Sequence, residues 1–120
     1  MVGEKQYIGP MQTISTSELK AKIDAASGDF VLVDTLKAES YEARHVPTAI
    51  SIPEDSNFVH NYEAATGASK DKEAILYCSS ETCDRHKRAA DALEAAGYTR
   101  VVRYAEGLAG WQNAGLTFES

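Results

Sequence analysis

Short apolar runs alternate with amphipathic stretches from one end of the chain to the other, and this alternation limits the possible folds more than any other feature. "FVLVD" at 30–34 is a continuous branched run ending on a carboxylate, the pattern of a strand buried on both faces, and "AILY" at 74–77 reads the same way. "RVVRY" at 100–104 and a brief run from Ala49 to Ile52, resuming after Pro47, complete four expected strands. Between them lie helical patterns. Ser15 followed by Glu18 forms a capping box, and Leu19, Ile23 and Ala26 then share a face before Gly28. "AESYEAR" supplies a turn or two of helix. Phe58, Val59, Tyr62 and Ala65 trace a face that starts near Asp55 or Ser56 and ends near Gly67. "DRHKRAADALEAAGY" places Ala89, Leu93 and Ala96 inward, pairs Lys87 with Asp91 and stops at Gly97, and "LAGWQNAG" is a last short helix. Strands alternating with helices predict an α/β domain around a largely parallel central sheet flanked by helices.

Size and charge narrow the function. A chain of 120 residues with 43% hydrophobic and 25% charged residues can bury one core unaided. Its formal net charge of -6 and lack of a basic stripe argue against nucleic acid as a partner. No apolar run has membrane-spanning length and "MVGEKQYIGP" lacks an apolar signal-peptide core, so no membrane association and a cytoplasmic location are expected. Residues 1–11 read as a tail or leader ahead of a domain over 12–120.

In such sheets ligands bind beyond the carboxyl ends of the strands, where Asp34, Cys78 and the residues after Tyr104 fall. Cys78 stands between a strand and a helix, so the positive end of the helix dipole and nearby Arg85 favour its thiolate, the nucleophilic form. A small buried residue at a strand end is the plainer alternative. Cys83 in the same loop allows a disulfide, unusual as a staple in a cytosolic protein, or a thiol that resolves a sulfenate or persulfide on Cys78, or a mere loop occupant. A metal site from Cys78, Cys83 and His86 lacks a fourth ligand and paired cysteine spacing, and no metal is expected.

Five segments stand in a familiar order: "LVD" at 32–34, "SYEARHVPTAISIP" at 40–53, "ILYC" at 75–78, "RAADALEAAGY" at 88–98 and "YAEGLAGWQNAGL" at 104–116. Over residues 12–117 the chain resembles the single-domain rhodaneses, sulfurtransferases of three-layer α/β fold. The resemblance implies that Cys78 takes the outer sulfur of thiosulfate or a related donor as a persulfide. The sulfur then passes to cyanide, a thiol or a protein acceptor, with no cofactor. Ser79, Ser80, Glu81, Thr82, Cys83, Asp84 and Arg85 would form the substrate loop, with Arg85 and loop amides holding the departing sulfite. Asp34 and His45 would support the site, and Pro47, Gly107 and Trp111 match further family positions.

The departures are equally specific. The interval from Cys78 to Arg85 is two residues longer than the family's usual cysteine-to-arginine spacing. A register starting at Cys83 would restore that spacing but would carry the nucleophile well past the strand. Glu81 and Asp84 oppose an anionic substrate, Leu36 stands where relatives often carry arginine, and Thr48 and Glu106 replace common glycines, so weak use of thiosulfate is expected. Two other readings remain open: a redox-sensing or sulfur-carrying module that cycles Cys78 and Cys83 between dithiol and disulfide, and a phosphatase or arsenate reductase of the same fold.

Overall fold

The structure is a computed structural model that describes residues 12–26 and 28–120; the expected tail or leader lies outside the described residues. Five strands, β1 (Gln12–Thr13), β2 (Phe30–Asp34), β3 (Ile50–Ser51), β4 (Glu73–Tyr77) and β5 (Val101–Arg103), form one sheet in the order β1-β5-β4-β2-β3, and every pairing is parallel. Five helices connect them: α1 (Thr16–Ala25), α2 (Ala38–Ala43), α3 (Phe58–Thr66), α4 (Arg85–Ala95) and α5 (Gly107–Asn113).

The alternation along each strand divides the core in two. Val33, Ala74, Leu76 and Val101 pack with Phe58 and Tyr62 of α3 and Ala89, Ala90 and Leu93 of α4. Leu32, Ile75, Tyr77 and Val102 point to the other face, against Leu19 of α1 and Leu108 and Trp111 of α5. Helices thus cover both faces of the sheet, the three-layer arrangement expected.

The predicted elements are present, with local differences. Ser15 and Glu18 cap α1 reciprocally as the sequence implies, but the helix stops at Ala26, which takes the left-handed conformation itself. The helix expected from Asp55 or Ser56 starts at Phe58, and the expected 49–52 strand shrinks to Ile50–Ser51. Lys87 and Asp91 form no ion pair; Arg88 of the same helix instead reaches Glu54 at 3.1 Å. The sequence missed β1, whose two residues are too few for any periodicity to register.

Thr48 takes a left-handed backbone conformation of the kind that favours glycine. Its φ is 74°, a region costly for a β-branched residue, while its side chain is exposed and adds little packing. Thr48→Gly is therefore expected to raise stability by about 0.5–1 kcal/mol, the strain relieved exceeding the glycine's extra chain entropy. Chemical denaturation of the two proteins checks this; equal or lower stability in the glycine variant would count against strain at this position.

Candidate functional site

Cys78 follows β4, the central strand, and its backbone is pinned from both sides. Thr35 N donates to Tyr77 O at 3.0 Å, and the Thr35 hydroxyl donates to the same oxygen at 2.8 Å. Tyr104 N reaches Leu76 O at 2.9 Å. The first turn of α5 then supplies Leu108 N to Cys78 O at 3.1 Å and Ala109 N to Ser79 O at 2.9 Å. This close approach requires Gly107, because a Cβ there would collide with the Cys78 carbonyl and its φ is +61°. Trp111, 1% exposed, anchors α5 by donating its indole N–H to Thr117 O at 3.0 Å.

The two cysteines are bonded to each other across the loop, with their Cα atoms 6.4 Å apart. Cys78 is fully buried, whereas Cys83 is only half-buried. Between them the loop bonds chiefly to itself: Cys83 N to Ser80 O at 3.1 Å, and the Ser80 and Thr82 hydroxyls to each other at 3.0 Å. Among the described residues, 80–83 form no hydrogen bond to the body of the protein other than the contacts of Cys83 with Cys78.

Directly against the Cys78 sulfur lies His86, a residue that sequence reasoning placed only in a discounted metal site. Its Nδ1 is 2.9 Å from Cys78 Sγ, and the residue is 2% exposed. A usable signal existed, since His86 shares the inner face of α4 with Ala89, Ala90 and Leu93. Its other nitrogen, Nε2, faces Arg103 Nη1 at 3.4 Å. An arginine N–H can only donate, so Nε2 accepts and the proton of the neutral ring sits on Nδ1, aimed at sulfur. Burial first, then the Arg103 charge, hold the His86 pKa below the usual histidine value, keeping the ring neutral at neutral pH. With the amino end of α4 behind it, this N–H favours a Cys78 thiolate once the disulfide opens; the Cys83 carbonyl oxygen, 3.4 Å from the sulfur, works weakly against it.

The donor atoms of Cys78, Cys83 and His86 lie within 4.8 Å of one another and are the described residues best placed to hold a soft metal ion. Arg103 disfavours that use, because a metal on Nδ1 would force the ring proton onto Nε2, against the guanidinium.

The remaining expected site residues take other positions. Arg85 donates to Glu54 O at 3.4 Å. Asp34 is fully buried beside Tyr77 in the sheet register, and its Oδ1 accepts from Leu36 N at 2.9 Å while Oδ2 has no partner. Burial pushes its carboxyl up, with the Leu36 N–H, Tyr77 and the charge of His45 pulling the other way. His45 bonds Tyr41 O through Nδ1 at 2.8 Å, stacks on the Tyr41 ring and pairs its backbone with Glu119. A cavity of 340 Å³ next to the loop is lined by Ser80, Glu81, Thr82, Glu106, Ala109, Gly110 and Asn113, with two carboxylates and no cation. Another, mainly apolar cavity of 410 Å³ borders the amino end of β2 and includes no expected site residue.

A hydrogen bond to a charged partner contributes about 1.5–3 kcal/mol, equivalent to roughly one to two pKa units. In a Cys83→Ser background, where Cys78 titrates alone, His86→Ala should raise the Cys78 thiol pKa by about that amount. His86→Asn, whose amide N–H falls near Nδ1, should restore most of the difference. Thiolate absorbance against pH reads the shift, and an alanine variant titrating like its parent would remove His86 from this role.

The comparisons with known proteins agree with this architecture. The sequence model of the rhodanese-like domain matches residues 15–114. The BH2092 protein of Bacillus halodurans superimposes with a TM-score of 0.80 at 29% identity, over 91% of this chain and 77% of that one. A thiosulfate sulfurtransferase from Pseudomonas aeruginosa superimposes with a TM-score of 0.74 at 22% identity, over 91% of this chain but 20% of that one. Among curated proteins, an HTH-type transcriptional regulator of Mycobacterium tuberculosis is 32% identical over 107 residues, 89% of this chain and 44% of that protein, so the chain spans less than half the length of this relative. With a parallel sheet in this order, a cysteine at the end of its central strand and a family match covering nearly all of the described residues, the chain belongs to the rhodanese-like domain family.

Proposed function

We propose that this protein is a sulfurtransferase in which the Cys78 thiolate takes a sulfane sulfur, holds it as a persulfide and passes it to a thiol or cyanide. The family supports the reaction class, and a structural relative is named as a thiosulfate sulfurtransferase. The observation that carries the reading is the Cys78 sulfur at the end of the central strand with the His86 N–H 2.9 Å away. Thiolate attack on the outer sulfur of thiosulfate breaks the sulfur–sulfur bond, and the electron pair leaves with sulfite. The loop from Ser79 to Arg85 would surround the donor, with Asp34 and His45 holding the strand ends around it.

Two features set the conditions. Cys78 is buried and disulfide-bonded, so the loop must be reduced and opened before any donor reaches it. The carboxylates of Glu81 and Glu106 at the neighbouring cavity raise the cost of an anionic donor, which favours slow turnover of thiosulfate. The disulfide also carries a second reading, a redox module cycling Cys78 and Cys83, in which a protein surface rather than a sulfur acceptor reads the state.

Protein that has been reduced and freed of reductant should, on incubation with thiosulfate, release sulfite in step with the loss of the free Cys78 thiol, as read by sulfite assay and thiol count. Unreduced protein and Cys78→Ser should release none above background. A serine variant as active as its parent would sink the sulfurtransferase reading and leave the redox module.

A further inference from the structure

Cys83 has no role in a sulfurtransferase that needs a single cysteine, yet the structure bonds it to the reacting sulfur. We propose that Cys83 is the acceptor that discharges the Cys78 persulfide, so that the protein releases the sulfane sulfur as hydrogen sulfide and ends its half-reaction as the Cys78–Cys83 disulfide. The proposal rests on the sulfurtransferase reading and deepens it, by naming the acceptor and the product.

The geometry favours this step at both sulfurs. Cys78 is fixed, because neighbouring backbone groups from β2, β5 and α5 hold residues 76–79. Cys83 is carried on a segment whose own hydrogen bonds are internal to the loop, so it can withdraw while a donor loads Cys78 and return afterwards. The bonded pair shows that its return reaches Cys78 Sγ without rearranging the sheet.

The chemistry balances. The Cys83 sulfur attacks the inner persulfide sulfur, Cys78 Sγ; the bond between the two cysteines forms and the bond to the outer sulfur breaks. The electron pair leaves with the outer sulfur, which takes the Cys83 thiol proton and departs as hydrosulfide. Two thiols are oxidised to a disulfide, and the sulfane sulfur is reduced to sulfide. The His86 N–H on the inner sulfur makes it a better electrophile in this step. Turnover then requires an external dithiol. Its first thiolate attacks Cys83, the less buried sulfur, and Cys78 leaves as a thiolate stabilised by the same N–H; its second thiol closes the reductant's own disulfide. The groups around His86 that bear on the pH range of both steps are Cys78, Cys83, Asp84, Lys87 and, from β5, Arg103.

The test is a single turnover with reduced, reductant-free protein and either thiosulfate or cysteine hydropersulfide, following sulfide and the mass and thiol count of the protein. The expected result is one sulfide per protein, loss of both thiols and no lasting persulfide. Cys83→Ser should arrest with the additional sulfur on Cys78 and lose the sulfide. If the parent instead accumulates the Cys78 persulfide beside a free Cys83 thiol, the inference is overturned and the sulfurtransferase reading stands. If neither protein gains sulfur from either donor, both fall together.

Discussion

The seating of β4 between β2 and β5 is the constraint on which the rest of this structure depends. Because all three strands run parallel, their carboxyl ends meet along one edge, and the ladder that pairs them continues past the last strand residue through Thr35 and Tyr104. The α5 amides take over where the ladder ends, which is why Gly107 must lack a side chain. The consequence is a sulfur held on a rigid base. A side chain so placed has little conformational freedom, while Cys83 sits on a loop whose hydrogen bonds are largely its own.

Charge around that sulfur is arranged unlike a simple anion cradle. Arg85 is engaged with the Glu54 carbonyl and Arg88 with the Glu54 carboxylate, so the basic cluster at the start of α4 ties down the β3–α3 connection. Arg103 of β5 holds its guanidinium against His86, so its charge acts on the sulfur through a neutral imidazole. A single neutral N–H can stabilise a thiolate, a polarised persulfide or a leaving thiolate alike. It offers little to a doubly charged oxyanion, in keeping with the two carboxylates at the adjoining cavity.

How much of this was legible varied with the distance over which each feature is decided. The capping of α1 by Ser15 and Glu18, the end of α3 at Gly67, the strand at 30–34 and all but the first residue of the strand at 73–77 follow from near neighbours in the chain and were readable there. So was the placement of Cys78, which needs only a strand before it and a helix after it. His86 was half legible: its spacing with Ala89 and Leu93 puts it on the buried face of α4, but the sequence analysis weighed it only as a metal ligand. Nothing local indicated Arg103 as its partner, since that contact joins α4 to β5.

The sequence by itself indicated the alternation of strands and helices from α1 onward, the family and the place of Cys78 between a strand and a helix, because hydrophobic periodicity, caps and turn residues act over a few positions. Only the tertiary structure decided the state of that residue. Whether Cys78 meets Cys83, which nitrogen of His86 carries the proton and where Arg85 and Arg103 spend their charge depend on groups brought together by packing from separate strands and helices. Their energies are set by burial and hydrogen-bond geometry, which no stretch of sequence contains.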